Sequence, residues 1–167
     1  MVKYVKEDTQ VTFAEIPDEI VLAINISNCP HHCKGCHSQY LQTDIGDELT
    51  FEVLDELIKK NEGITCVSFM GEGNDLNGIF LLGTYIKNEY SDLKVALYTG
   101  LEDIPQRFVE YFDYLKLGPY IEEFGPLDKE TTNQRMFKKE ENSMALIGYK
   151  WQSGWRDITN KFWNKVL

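Results

Sequence analysis

The sequence contains no apolar run that approaches the roughly 18 residues of a membrane-spanning helix. Its first eight residues lack the apolar core of a signal peptide. Internal repeats, linkers and low-complexity stretches are also missing. We therefore expect a cytoplasmic protein with no membrane partner, whose 167 residues form one domain with a core of its own.

Basic residues are scarce relative to acidic ones. The chain has 17 Lys and Arg against 27 Asp and Glu, a formal net charge of −10 and a pI near 4.8. A protein that binds the nucleic-acid backbone needs clustered Lys and Arg. The excess of acidic residues therefore argues against nucleic acid as the main partner. We interpret the negative net charge as a contribution to solubility.

Cysteine is rare, but it is concentrated. Three of the four cysteines lie within eight residues, at Cys29, Cys33 and Cys36. This is unlike the spaced framework of a disulfide-rich secreted protein and fits a reducing cytoplasm. The fourth, Cys66, falls inside a predicted strand and is interpreted as a buried structural residue.

The Cys-x3-Cys-x2-Cys spacing favours a metal centre. Two metal sites and one metal-free interpretation are considered. The first is a [4Fe-4S] cluster with three protein ligands and one open iron. The second is zinc, with His31, His32 or His37 completing a Cys3His set. The third is a set of structural or free cysteines. We favour the cluster, because structural zinc usually takes its ligands as two separated pairs.

Strand and helix patterns alternate from about residue 20 to 120. Apolar or β-branched runs predict strands at residues 20–27, 64–70, 94–98 and 114–117, with a short edge strand or extended arm before them at 11–16. Thr50 is a fair N-cap for a helix through Lys60, and Pro105 begins another helix. The alternation predicts an α/β fold of parallel units with right-handed crossovers. The cysteines would follow the first inner strand, at the sheet edge where such folds bind ligands.

The cysteine triple resembles the signature of the radical S-adenosylmethionine (SAM) enzymes. More narrowly, the chain is similar to the anaerobic ribonucleotide reductase activating proteins. The similar segments are residues 29–37, 67–73 (Val-Ser-Phe-Met-Gly-Glu-Gly), 97–100 (Leu-Tyr-Thr-Gly) and 132–135 (Thr-Asn-Gln-Arg). The cysteine triple is highly specific, and the other segments are individually weak.

The resemblance implies a partial, open (β/α) barrel, since the chain is short for a complete eight-unit barrel. We expect a single radical SAM domain over residues 1–167, with its core at about 20–120. The C-terminal extension, at about 121–167, has an irregular pattern, in which residues 145–151 suggest a strand and 158–166 a short helix or strand.

The resemblance also implies the roles of the site residues. Cys29, Cys33 and Cys36 would ligate the [4Fe-4S] cluster, and SAM would bind the open iron through its amino and carboxylate groups. Gly35 would let the backbone approach the cluster, and His37 would contact the adenine. His31 and His32 would be loop residues near the cluster.

Relatives carry a Gly-Gly-acid loop that holds the methionyl amino group. Here Gly71 is followed by Glu72, so the acid sits one position early, and Glu72, Asp75 or backbone carbonyls alone would serve. Thr99 would meet ribose or a carboxylate, and Lys116 would pair with the SAM carboxylate. The segment from Thr132 to Arg135 would close the SAM pocket, touch the partner, or form a turn or helix cap.

The activity implied is that of a glycyl-radical activating oxidoreductase. The cluster, reduced by flavodoxin or ferredoxin, would cleave SAM to methionine and a 5′-deoxyadenosyl radical. That radical would remove a hydrogen atom from a glycine on the large subunit of the anaerobic ribonucleotide reductase. The alternatives are another small radical SAM enzyme that acts on a small molecule, or a zinc-binding interaction module.

Overall fold

The structure is a computed structural model that describes residues 1–163. The strands are β1 (Lys3–Tyr4), β2 (Gln10–Thr12), β3 (Val21–Asn25), β4 (Asp47–Glu48), β5 (Cys66–Met70), β6 (Lys94–Tyr98), β7 (Tyr114–Leu117), β8 (Arg135–Ile147) and β9 (Lys150–Asp157). The α-helices are α1 (Phe51–Lys60), α2 (Leu76–Glu89) and α3 (Gln106–Tyr111). Three 3-10 helices cover Lys6–Asp8, Gln39–Gln42 and Thr159–Phe162. None of the helices in this range has the length and apolar composition needed to cross a membrane.

A seven-stranded sheet in the order β2-β3-β5-β6-β7-β8-β9 organises the described chain, beside a small β1-β4 pair. Strands β3, β5, β6 and β7 are parallel, while β2, β8 and β9 pair antiparallel with their neighbours. The four predicted parallel strands are therefore present. The sheet does not close into a barrel, and its assignment to the radical SAM barrel stays a prediction.

The central strands are apolar on both faces because both faces are covered. On one face, side chains such as Leu22, Phe69 and Leu97 pack with the three α-helices. On the other face, Ala23 and Tyr114 pack with residues that precede β3 and follow β9, including the fully buried Ile16 and Ile158. Burial on both faces explains the nearly unbroken apolar runs in the sequence.

The helices begin where their capping residues stand. The hydroxyl of Thr50 accepts from the backbone N of Val53 at 3.1 Å, so the predicted N-cap of α1 is confirmed. A carboxylate oxygen of Asp75 accepts from the backbone N of Gly78 at 2.8 Å and caps α2 in the same way. Helix α3 begins after Pro105 and has no side-chain cap.

The C-terminal part is more regular than the sequence pattern indicated. From Arg135 it forms a hairpin of the two long strands β8 and β9, whereas an irregular extension with a strand at 145–151 was expected. The expected strand straddles the turn at Gly148. A register shift between Lys139 and Met144 breaks the alternation that would have revealed β8. Within the predicted 158–166 element, residues 159–162 form a 3-10 helix. Residues 164–166 of that element lie outside the described residues.

The hairpin carries one buried and one exposed tryptophan on the same strand. Trp155 is 2% exposed and belongs to the helix-side core, and the ammonium of Lys139 lies 5.7 Å from its ring centroid. Trp151 is 67% exposed and lies outside this core. The hairpin is therefore part of the core through Trp155.

Replacing Trp155 should destabilise the whole domain. We expect Trp155→Ala to lower the free energy of unfolding by about 3–5 kcal/mol, because it leaves a large cavity in a closely packed core. The matched variant Trp151→Ala should change it by less than about 0.5 kcal/mol. Urea unfolding followed by circular dichroism measures both, and equal effects would contradict the assignment of the hairpin to the core.

Candidate functional site

The four parallel strands end at the same edge of the sheet, and their following loops meet there. In the observed register Asn25 pairs with Met70, Met70 with Tyr98, and Tyr98 with Lys116. The cysteine loop follows β3, Glu72 follows β5, Thr99 follows β6, and Lys116 is the second-to-last residue of β7. Parallel pairing thus brings together residues that are far apart in sequence.

The cysteine loop has no regular secondary structure and is held by its backbone. The N–H of Cys29 donates to the carbonyl of Leu41 at 2.9 Å, and that of Cys36 donates to the carbonyl of Cys33 at 3.2 Å. The thiols of Cys29, Cys33 and Cys36 are free and partly exposed. Cys66 is fully buried in β5, as predicted, and takes no part in the loop.

The thiols lie close to a buried carboxylate. Burial raises the pKa of the Cys29 thiol, and the negative charges of Glu72, Cys33 and Cys36 raise that pKa further. A hydrogen bond from the backbone at His31 works in the opposite direction. The three thiols and Glu72 therefore share one small volume, in which a positive charge would stabilise their anionic forms.

Lys116 supplies that positive charge from beneath the loop. Its side chain is 8% exposed, and its ammonium donates to the carbonyls of Gly118 at 2.8 Å and Thr99 at 3.3 Å. Burial lowers the pKa of Lys116 to about 8, while the charges of the cysteines and Glu72 act to raise it. Lys116 is thus close enough to the cysteines and Glu72 for their charges to interact, and its pairing with the SAM carboxylate stays a prediction.

Thr99 is 2% exposed and shapes the turn that follows β6. Its carbonyl accepts from Lys116, and its hydroxyl accepts from the backbone N of Leu101 at 3.0 Å. The residue therefore lies in the site. Its contact with ribose or a carboxylate stays a prediction.

Glu72 is buried beside the cysteine loop, and only one of its two carboxylate oxygens accepts a hydrogen bond within the described chain. Its side chain is 5% exposed, and Oε1 accepts a hydrogen bond from Nε2 of His31. Within the described chain, Oε2 is buried and has no hydrogen-bond partner. A buried carboxylate oxygen without a donor is costly, so this oxygen marks a place for a donor from outside the chain.

Asp75, the alternative acid, faces other partners. Besides capping α2, its carboxylate accepts from the N-terminal ammonium of Met1 at 2.8 Å. That ammonium lowers the pKa of Asp75 more than any other group does. Of the two acids, Glu72 is the one whose partners belong to the cysteine loop.

The loop around Glu72 has to be glycine-rich. At Gly73, φ is +58°, and an added Cβ would lie 2.7 Å from the carbonyl oxygen of Ser27, just before the cysteine loop. The β5 loop therefore packs directly on the start of the cysteine loop. Gly71, with φ of +115°, precedes Glu72 in a conformation that favours glycine.

Gly35 and His37 lie against the segment that follows β7. Gly35 has φ of +77°, and an added Cβ would contact the side chains of Tyr120 and Glu122 at 3.4 Å. The ring centroids of His37 and Tyr120 are 5.9 Å apart. His32 is exposed and pairs with Gln42 at 3.2 Å. The adenine contact of His37 stays a prediction.

The segment from Thr132 to Arg135 adjoins the end of β7. The hydroxyl of Thr132 accepts from the backbone N of Gln134 at 3.0 Å, and Asn133 donates to the carbonyl of Pro119 at 3.0 Å. Arg135 lies 3.7 Å from Asp157. Residues 132–134 therefore form a short loop before β8, and a contact of this segment with SAM or a partner stays a prediction.

The donor set suits an iron–sulfur cluster in chemical terms. Thiolates are the ligands of iron–sulfur clusters, and three on one loop leave one iron of a [4Fe-4S] cluster open. Within residues 1–163, no three His, Cys, Asp or Glu side chains are arranged around a single metal ion. A cluster takes each cysteine on a different iron and does not require that arrangement.

The contact between His31 and Glu72 was not predicted from the sequence, in which His31 was a candidate zinc ligand or a loop residue near the cluster. His31 stands 41 positions before Glu72, and no periodic pattern links residues in two different loops. The available signal was topological, because both loops follow neighbouring parallel strands.

A family model described as a 4Fe-4S single cluster domain matches residues 20–151, which is well over half of the chain and contains the residues of the site. No curated protein matches the chain. No solved structure matches it either.

Burial of Lys116 should make the stability of the metal-free protein depend on pH. The pKa of Lys116 is about 8 in the folded protein against 10.5 for a solvated lysine, so the unfolded state binds more protons between these pH values. The stability of the wild type relative to Lys116→Met should therefore rise with pH across this window, by on the order of 3 kcal/mol. Urea unfolding of both proteins at several pH values measures the difference, and a constant difference would contradict the burial of a charge.

Proposed function

The chain belongs to the family of 4Fe-4S single cluster domains, and on that premise we propose that it is a radical SAM activase. It would cleave SAM reductively at the cluster and generate a glycyl radical on the anaerobic ribonucleotide reductase. One observation carries the proposal: the cysteine loop lies over a buried carboxylate and a buried ammonium, Glu72 and Lys116. Such a pair complements the ammonium and carboxylate of an amino acid, which SAM carries at its methionyl end.

Cys29, Cys33 and Cys36 would hold the cluster as thiolates and leave its fourth iron open to SAM. When bound, the cluster supplies the electron that cleaves a carbon–sulfur bond of SAM. The positive charge of Lys116 would stabilise the negative charges of the cysteine thiolates and Glu72. Gly35 lets the loop backbone turn tightly next to the last cysteine, since its φ of +77° favours glycine.

Glu72 would bind the methionyl ammonium through its unsatisfied Oε2. A hydrogen bond between two charged groups in a buried site is shorter and stronger than a neutral one. Lys116 would pair with the methionyl carboxylate, and its ammonium is already held in place by two carbonyls. The two charges would fix the amino-acid end and so orient the bond that breaks.

His37, Tyr120 and Thr99 would surround the adenosine end. The rings of His37 and Tyr120 are 5.9 Å apart and stand at an angle of 54°, and His37 is next in sequence to the last cysteine. An aromatic pair of this kind can pack against a purine. The buried hydroxyl of Thr99 offers a polar group near the ribose.

The protein substrate would be the large subunit of the anaerobic ribonucleotide reductase, with flavodoxin or ferredoxin as the electron donor. The cysteine loop supports this, because it lies at the rim of an open sheet and its Lys34 side chain is 94% exposed. A glycine loop of a large partner could approach such a rim. The docking face would include the strand-end loops and the segment from Thr132 to Arg135, in a transient interface of modest area.

Cluster binding should depend on three of the four cysteines. We expect Cys29→Ala, Cys33→Ala and Cys36→Ala each to abolish the broad absorbance near about 400 nm that iron–sulfur charge transfer gives. Cys66→Ala is the matched control and should retain it, because Cys66 is buried away from the loop. Anaerobic reconstitution followed by absorbance and iron analysis measures the outcome. Loss of the cluster in Cys66→Ala with retention in Cys33→Ala would overturn the ligand assignment.

Activation of the reductase should give a glycyl radical. The reduced protein, SAM and the anaerobic reductase are mixed without oxygen, and an EPR spectrum and the 5′-deoxyadenosine content are recorded. We expect a glycyl doublet, which disappears when the reductase glycine is replaced by alanine or when this protein carries Cys33→Ala.

The same mixture separates the alternatives. If 5′-deoxyadenosine forms without a reductase radical, the protein cleaves SAM but acts on another substrate, and a small-molecule reaction becomes the leading hypothesis. If the anaerobically purified protein holds one zinc and no iron or sulfide, the activase proposal fails and an interaction module replaces it.

A further inference from the structure

His31 belongs to the cysteine loop, but its ring reaches the loops of two other strands. It stands between Cys29 and Cys33, and its Nε2 donates to Glu72 after β5. The ring also lies on Gly100 after β6, where an added Cβ would come within 2.7 Å of it. The side chain is 17% exposed, so these two contacts enclose most of it.

The hydrogen bond from His31 determines how Glu72 presents its carboxylate. Because Oε1 is bound by His31, rotation of the carboxylate group is restricted and Oε2 keeps one direction. That second oxygen is buried and has no partner in the described chain. Two conditions for a prepared binding group are therefore met, a fixed orientation and an unused acceptor.

We propose that His31 is the positioning residue that orients Glu72 toward the ammonium group of SAM, so that the cluster loop and the SAM-binding acid act as one unit. The proposal rests on the function proposed above. It extends that function by linking cluster binding to SAM binding. The loop that holds the cluster also holds Glu72, through the side chain of His31 between two cluster ligands. A loop ordered by its cluster would therefore orient the Glu72 carboxylate toward the SAM ammonium. A loop without the cluster would hold that orientation less firmly.

His32 provides a matched control in the neighbouring position. It lies in the same loop between the same two cysteines, but it is exposed and its Nδ1 pairs with Gln42 at 3.2 Å. Replacing either histidine by alanine removes the same atoms from the same loop. Only His31→Ala removes the contact with Glu72.

The test uses the full chain with a reconstituted cluster and three measurements: iron content, the SAM dissociation constant by equilibrium dialysis, and the EPR change of the reduced cluster on adding SAM. We expect His31→Ala to keep its iron and to bind SAM about tenfold more weakly, in line with the loss of a hydrogen bond to a charged group. His31→Gln should recover part of the affinity, because its amide can donate to Glu72. His32→Ala should match the wild type.

A double variant shows whether His31 acts through Glu72. SAM binding by the pair His31→Ala and Glu72→Ala should be no weaker than binding by Glu72→Ala alone, because the carboxylate that His31 positions is gone. Additive losses would mean that His31 contributes independently, and would overturn the inference. A general structural defect would also add to the loss, so the cycle separates it from positioning.

The remaining outcomes separate the inference from the function on which it rests. Weaker SAM binding in Glu72→Ala with unchanged binding in His31→Ala overturns the inference and leaves the proposed function standing. Loss of iron in both His31→Ala and His31→Gln assigns His31 to the cluster loop alone and also overturns it. A wild-type protein that holds its cluster but binds no SAM overturns the proposed function itself.

Discussion

The parallel pairing of β3, β5, β6 and β7 is the constraint on which the site depends. In this register the residues Asn25, Met70, Tyr98 and Lys116 stand side by side at one edge of the sheet. A slip of one residue in any pair would turn its side chains to the opposite face. Both faces are buried, but they hold side chains of different size, such as Phe69 and Leu97 on the helix side and Ala23 and Ala96 on the other, so a slip would disrupt the packing of both core clusters.

Opposite charges make the burial of this polar site tolerable. The buried ammonium of Lys116 interacts with the charges of Glu72 and the cysteines, and it donates hydrogen bonds to two backbone carbonyls. Glu72 has His31 as a donor on one side only. Removing either charge alone would leave the other buried without compensation, which costs more than the pair contributes. The arrangement therefore favours a ligand that carries both charges over one that carries a single charge.

Much of this arrangement was predictable from the sequence, because it follows from local patterns. The apolar runs predicted β6 and β7 with their observed bounds, Thr50 predicted the start of α1, and the cysteine spacing predicted the metal-binding loop. Two features escaped. The contact of His31 with Glu72 joins two loops that no period connects, and β8 is interrupted by a register shift and carries charged residues where alternation would be needed.

The placement of the site along the chain has a consequence for its biosynthesis. The thiols come first in the sequence, and the carbonyl of Gly118, which holds the Lys116 ammonium, comes almost ninety positions after Cys29. Contacts between segments this distant form late in folding, since the chain must first close long loops. During translation the three thiols therefore leave the ribosome before the strand that carries their counter-charge. The cysteine loop spends that interval without Lys116 beside it, and a cluster acquired after β7 has paired meets a prepared charge environment.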